Sequence, residues 1–277
     1  MKKEFVKVAL CQRHADGGKD KNLTETLMMV EQAVKECPAL DIIAFPEYNY
    51  YCAEDPADTK ANAESLDGRY VVALCEAAKK WNVNIIGGSF AAASGDKVKN
   101  TIPFIDRNGK LAGTYSKLHL MDAIGIKESD SVDPGDNIAV IDTDFGRIGL
   151  MVCFDLRFPE LPRSMVYQGA DMIFCCASFP TGAALPPRVD HWDLMVRSSA
   201  LYNLTYFCAT NQFGMLHNGR DNNFGRSCVI DPWGTVVVHA TEKTGIVYAT
   251  LDMAYQEQVR KNVATWQCRR PDVYTLG

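Results

Sequence analysis

The strongest constraint on the fold is a set of short apolar runs with no polar alternation. Leu40 to Phe45 (LDIIAF), Val83 to Phe90 (VNIIGGSF), Ile148 to Val152 and Asp171 to Ala177 (DMIFCCA) are of strand length and lack the alternation of a half-solvated strand. They suit strands covered on both faces. Between them lie segments with helical spacing. Leu23, Leu27, Val30, Val34 and Cys37 make one apolar face, and Val71, Leu74, Cys75, Ala78 and Trp81 make another. Asn22, with Glu25 three residues on, predicts a capping box at the start of the first helix. The strand–helix–strand order predicts an α/β protein. Asn108-Gly109 and Pro232-Trp233-Gly234 predict two hairpin turns. Buried-type strands outnumber alternating ones, so most sheet faces must be covered. Two sheets packed together with helices outside them satisfy that. No Gly/Ser linker or repeat divides the chain, which predicts one domain over residues 1–277.

Charge and cysteine usage narrow the function. The net charge is -5 with both signs scattered, so no basic face awaits a phosphate backbone, and nucleic acid is not expected as a partner. No apolar run approaches the roughly 18 residues of a membrane span. The N-terminal MKKEFVKVALCQ has an apolar part only a strand long, which argues against a secretory signal. The 10 cysteines form no C-x-x-C pair, and several lie inside apolar runs, the pattern of reduced thiols in a cytoplasmic protein. The 5 histidines show no metal-ligand spacing, so neither a metal nor another cofactor is expected.

Three residues at the ends of predicted strands then ask for one explanation. Cys153 ends the run Ile148 to Val152 and precedes a helical pattern. A cysteine in an apolar run is ordinarily just packing. A strand-to-helix junction, however, presents backbone N–H groups that favour a thiolate and a bound oxyanion. Glu47 follows LDIIAF at a position where α/β proteins place ligands, although a single loop glutamate is ordinarily solvated. Lys117 closes a hairpin strand in TYSKLHL; a snorkelling surface lysine is the plain reading, and a buried one would need Glu47 or Glu128 as partner. His119 reads as a hydrogen-bonded structural histidine. Together the first three types fit acyl transfer: a thiol nucleophile, a carboxylate base, and an ammonium with the Phe154 N–H to receive the oxyanion.

FPEY with Glu47, YSKLHL with Lys117 and CFDLRFPE with Cys153, in this order, resemble the carbon–nitrogen hydrolase (nitrilase) superfamily. The segments HWDLMVRSSALYN, FGRSCVIDPWG and CRRPDVY extend the resemblance over essentially the whole chain. The resemblance implies a four-layer αββα sandwich that dimerises into an αββααββα stack. It also implies a Glu47–Lys117–Cys153 triad and a supporting glutamate, matched by Glu128.

Nitrile-cleaving members carry Trp-Glu after the cysteine, whereas Phe154-Asp155 stands here. CFDLRFPE is similar instead to the amidase branches, such as omega-amidase and deaminated-glutathione amidase. The expected reaction is hydrolysis of a small linear carboxamide through a thioester. Release of a carbamoyl group is the alternative, and a papain-like enzyme using His191 or a non-catalytic scaffold fits less well. The loop SFPTGAALPPRVDHW is longer than in omega-amidase-like members, and Tyr202 stands where many members have an acidic residue. Candidate substrate-binding residues are Tyr51, Arg157, Phe179, Arg188 and Trp192. Either arginine could grip a carboxylate, although Arg157 could instead be a buried structural partner of Asp155 or Glu160.

Overall fold

A computed structural model describes residues 3–16, 18–53, 55–182, 188–216 and 219–274. The first half of the chain runs β1 (Phe5–Gln12), α1 (Lys19–Glu36), β2 (Ile42–Ala44), α2 (Pro56–Ala61), α3 (Arg69–Trp81), β3 (Asn84–Ile86), β4 (Phe90–Ser94), β5 (Lys97–Ile105) and β6 (Leu111–Ser116). Next come β7 (Asp122–Ala123), β8 (Ile126–Lys127), β9 (Val140–Thr143), β10 (Gly146–Val152), α4 (Glu160–Tyr167) and β11 (Met172–Ala177). The chain continues with β12 (Pro180–Gly182), α5 (Val189–Asn203), β13 (Tyr206–Asn211), β14 (Phe213–Met215) and β15 (Asp221–Phe224). It closes with β16 (Cys228–Ile230), β17 (Val236–His239), β18 (Gly245–Asp252) and α6 (Met253–Val263).

Two sheets dominate. One has the order β18-β1-β2-β3-β5-β4, with β6 also paired to β5; the other has the order β17-β16-β13-β11-β10-β9. Each contains a parallel set, β1-β2-β3 in the first and β10-β11-β13 in the second, flanked by antiparallel strands. The missing alternation in the sequence is explained by what each strand face meets. Val6, Val8, Leu10, Ile42, Ala44 and Ile86 point into the core shared with the second sheet. Their neighbours Ala9, Cys11, Ile43 and Ile85 point the other way, into a second core with Leu23, Val30, Val71 and Leu74 of α1 and α3. Side chains alternate along a strand, so both sets must be apolar. The same logic covers the second sheet, where Leu161, Met165, Trp192 and Val196 of α4 and α5 join the buried cluster. The layers are therefore α–β–β–α. Each fully buried aliphatic side chain contributes roughly 1.5–3 kcal/mol, so burial on both faces is what holds the sandwich.

Two local expectations fail for identifiable reasons. Helix α1 starts at Lys19 with Gly18 as its N-cap, not at Asn22. Asn22 is buried, where its Oδ1 accepts from Arg13 Nη2 at 3.0 Å and its Nδ2 donates to the Tyr50 carbonyl at 3.1 Å. Glu25, the supposed second half of the capping box, takes the Arg13 guanidinium at 2.6 Å. The predicted strand Val83 to Phe90 is also broken, between β3 and β4. Gly88 there has φ +70°, and an added Cβ would stand 2.1 Å from the Pro46 carbonyl oxygen. The break exists because the segment before Glu47 packs against it. The loop expected over residues 178–188 contains β12 among its described residues; residues 183–187 lie outside them.

Candidate active site

The parallel strands β2, β10 and β11 all deliver their C-terminal ends to one place. Beyond β2 come Pro46 and Glu47; beyond β10 comes Cys153; beyond β11 comes Ser178. Lys117 arrives from the end of β6. Backbone and side-chain bonds join the sheets here: the Glu47 N–H donates to the Ala177 carbonyl at 3.3 Å, and Gln212 Nε2 donates to the Glu47 carbonyl at 2.7 Å.

Lys117 is 3% exposed, so the snorkelling alternative does not hold. Its ammonium donates to Glu128 Oε2 at 2.8 Å and to Glu47 Oε1 at 3.2 Å. Glu47 is 2% exposed. Its Oε1 also accepts from Asn100 Nδ2 at 2.9 Å, and its Oε2 accepts the Ser178 N–H at 2.8 Å. Glu128 is held further by the Tyr48 hydroxyl at 3.2 Å and the Met121 N–H at 2.8 Å. Cys153 is 4% exposed, with its Sγ 3.5 Å from the Ser178 carbonyl. Ser178 thus faces the acid with its N–H and the thiol with its carbonyl.

Burial and charge set the protonation states. Burial alone would lower the Lys117 ammonium, but the Glu47 and Glu128 carboxylates outweigh it and hold Lys117 above its ordinary range. Burial pushes Glu47 above the ordinary glutamate value, partly offset by Lys117. Burial, and then the Glu47 charge, push the Cys153 thiol well above its ordinary value, with Lys117 opposing. These shifts favour a neutral Cys153 thiol over the thiolate that its strand-end position suggested. The Glu47 carboxylate beside it has raised proton affinity.

The turn carrying Cys153 is strained. Cys153 has φ +41°, a left-handed conformation that costs a non-glycine residue of order 1–3 kcal/mol. It turns the chain from β10 directly into a short 3₁₀ turn, Cys153–Arg157. Phe154 is the second residue of that turn, so its N–H has no partner within it. Asp155, fully buried, holds the turn in place. One of its carboxylate oxygens accepts from the Val152 N–H at 2.9 Å and the Tyr115 hydroxyl at 2.6 Å; the other accepts the His119 N–H at 3.1 Å and lies 2.7 Å from His119 Nδ1. Asp155 therefore ties the residues flanking Lys117 to the residues flanking Cys153, and His119 is the hydrogen-bonded residue its sequence context suggested.

Of the substrate-binding candidates, the structure packs Arg188, Phe179 and Trp192 together and sets Arg157 and Tyr51 elsewhere. Arg188 is 3% exposed, and its Nε and Nη2 donate to the Pro180 carbonyl at 3.0 and 2.5 Å. Its guanidinium lies 4.4 Å over the Phe179 ring. Burial pulls Arg188 below its ordinary range, and the nearby Cys153 counters this. Arg157 is exposed and stands 6.0 Å from the Phe154 ring, so it is not the buried partner of Asp155 or Glu160. It faces a separate cavity of about 640 Å³ that is also lined by Arg163, Tyr167, Leu194, Tyr202 and Arg269. Trp192 is fully buried behind Phe179 at 5.5 Å between ring centroids, and its Nε1 donates to the Arg226 carbonyl at 3.0 Å, so it lies behind the site. The Tyr51 hydroxyl is engaged by Asp58 at 3.0 Å. Sequence reasoning missed Asn100, Ser178, Tyr48 as a partner of Glu128, and the role of Asp155. Only Asn100 carried a local signal, as a polar amide inside an otherwise β-prone stretch.

The carbon-nitrogen hydrolase family model matches residues 7–261. The chain belongs to that family. Deaminated glutathione amidase of Bos taurus is 32% identical over 282 residues, covering 98% of this chain and 84% of the relative. Omega-amidase NIT2 of Bos taurus is 30% identical over 283 residues, covering 98% and 97%. A crystal structure of a carbon-nitrogen hydrolase from Helicobacter pylori G27 superimposes with a TM-score of 0.90 at 26% identity, covering 98% of this chain and 97% of that one. In this carbon-nitrogen hydrolase, acid, ammonium and thiol converge at the strand ends described above.

Proposed function

We propose that this carbon-nitrogen hydrolase, acting as a single domain, converts a small linear carboxamide to a carboxylic acid and ammonia through a thioester on Cys153. The observation that carries the reading is the buried Lys117 ammonium between Glu47 and Glu128, beside a cysteine at a left-handed strand end. Glu47 accepts the thiol proton as sulfur bonds to the amide carbon and the carbonyl electron pair moves onto oxygen. The Lys117 ammonium and the Phe154 N–H receive that oxyanion. When the adduct collapses, Glu47 returns the proton to nitrogen and ammonia leaves. Water then gives a proton to Glu47 and adds to the thioester, and the second collapse releases the acid and restores the thiol. Glu128 acts through Lys117 and touches no reacting atom.

The relatives named deaminated glutathione amidase and omega-amidase support an amide substrate. Arg188 supports a substrate that also carries a carboxylate. It is a buried cation near Cys153 with no carboxylate at ion-pair distance among the described residues, and a substrate carboxylate would complete it. Ammonia release over ω-amides of dicarboxylic acids, N-carbamoyl amines and acids, and nitriles is the test. The ω-amides should turn over fastest. Faster carbamoyl turnover would make the enzyme an N-carbamoyl hydrolase, and no release from any class would overturn the reading.

The outward face of α5 supports self-association. Leu194, Leu201 and Tyr202 on it are 68%, 41% and 61% exposed, and Trp233 beside them is 55% exposed. A second copy of the chain seated there would also close the arginine-lined cavity that opens on the same helix. The 10 free cysteines support residence in a reducing compartment such as the cytoplasm.

A further inference from the structure

Glu47 and Glu128 share one ammonium. Two carboxylates and one cation leave a net negative charge in a place almost without water, an arrangement that favours protonation of one acid. A protonated Glu47 cannot take the thiol proton. Something besides Lys117 must hold both acids as carboxylates. Asn100, fully buried in β5, is the neutral group that reaches both: its Nδ2 lies 2.9 Å from Glu47 Oε1 and 3.4 Å from Glu128 Oε1. Its backbone carbonyl accepts the Lys117 N–H at 2.9 Å, so the same residue fixes the strand end that carries the cation. The amide orientation follows from chemistry, since the flipped form would set Oδ1 against two carboxylate oxygens. In the orientation present, Oδ1 has no partner among the described residues, so the residue stands there for its two N–H hydrogens.

We propose that Asn100 is a positioning residue for the reaction, one whose amide holds Glu47 and Glu128 as a matched pair of acceptors around Lys117 and so keeps Glu47 available as the base. This rests on the reading of Glu47 as base. The two donors on Glu47 Oε1, Lys117 and Asn100, also leave Oε2 as the oxygen open to the thiol proton. Oε2 accepts the Ser178 N–H, and Ser178 is the residue whose carbonyl faces Sγ. The titratable groups around Glu47 are Lys117, Glu128, Cys153, Tyr48, Cys52 and Cys176. Of these, Lys117 alone is cationic, so among the described residues no second cation around Glu47 absorbs loss of the Asn100 donor.

The test reads the pH dependence of Cys153 alkylation by iodoacetamide, which needs no natural substrate. Cys153 is followed by peptide mapping because other thiols are present. A Glu47→Gln control comes first: if its Cys153 reacts as in the parent at every pH, the base reading itself fails. With that control passed, Asn100→Leu removes the donor while keeping the branched side-chain shape. Its acidic limb should move up by about one to two pH units, a loss of tenfold or more at the low-pH end with near-parental rates on the high-pH plateau. Asn100→Asp is the second variant and covers a failure of the leucine variant to fold. The introduced carboxyl still donates when protonated and repels both acids when ionised, so the variant's rate should fall with rising pH where the parent's rises. An unshifted limb, or a uniform fall at every pH in both variants, would reduce Asn100 to packing and overturn the proposal.

Discussion

Lys117 balances two buried carboxylates and, in the proposed reaction, also receives an oxyanion, and the two demands can be separated experimentally. Lys117→Met keeps the volume and removes the charge. Leaving the carboxylates without their cation should cost about 3–5 kcal/mol of unfolding free energy. Removing one oxyanion donor should lower kcat by about 10²- to 10³-fold. Denaturant titration and steady-state kinetics measure the two losses. The sign of the pH dependence follows from the raised ammonium. Its folded-state proton affinity exceeds the ordinary value of 10.5, so the stability it adds is fully present below that value and lost only as pH climbs through the higher one. The ammonium therefore stays charged from about pH 6 to about pH 9, and the stability gap between parent and Lys117→Met should widen with rising pH, because the two buried acids left without their cation lose stability as they ionise. Glu47 shifts upward from an ordinary value of 4.5 and must be ionised to act as base, so the acidic limb of kcat/KM should lie above pH 4.5. A limb at or below that value would remove Glu47 from the role. For Arg188→Gln, KM for an acidic ω-amide should rise about 10- to 100-fold while that for a neutral amide stays put. An equal change for both would place the arginine in the scaffold only.

Among the elements, the close approach at Gly88 matters most to the site. The loop carrying Glu47 leans on the gap between β3 and β4: the Ser89 N–H donates to the Pro46 carbonyl at 3.2 Å, and the Asn49 N–H donates to the Ser89 carbonyl at 2.9 Å. Gly88→Ala combines a positive φ with a Cβ driven into that Pro46 carbonyl. It should cost about 2 kcal/mol or more and lower kcat, since Glu47, the proposed base, follows Pro46 directly in the chain. A thermal shift with unchanged kcat would show that the loop tolerates the displacement. The strands themselves were legible because burial on both faces leaves a direct mark on composition. The start of α1 was not, because Asn22 and Glu25 have the chemistry of a cap but are claimed by Arg13 from β1's exit. Sequence proximity favours the local partner, and tertiary structure supplied a distant one that binds both.

At the scale of the molecule, the outward face of α5 predicts the assembly. Light scattering after size exclusion should give twice the 30.7 kDa of the chain. Leu194→Glu with Tyr202→Glu should return it to a single copy; a monomeric parent would leave that face without the proposed occupant. The layering, the strand-end placement of Glu47, Lys117 and Cys153, and the family itself were written in the chain, because apolar periodicity decides which faces are covered and a strand's end decides where its next residue points. Folding decided the charge states and the supporting groups. Whether Cys153 rests as a thiol depends on its burial and on Glu47 across the gap between the sheets. Arg188 became the buried cation, packed on Phe179, and Arg157 an exposed one, a difference that no spacing encodes. Proton affinity and hydrogen bonding depend on groups within a few ångströms in space. Here Lys117 stands 70 positions from Glu47 and Ser178 stands 131 from it, so only the closed sandwich brings them into reach.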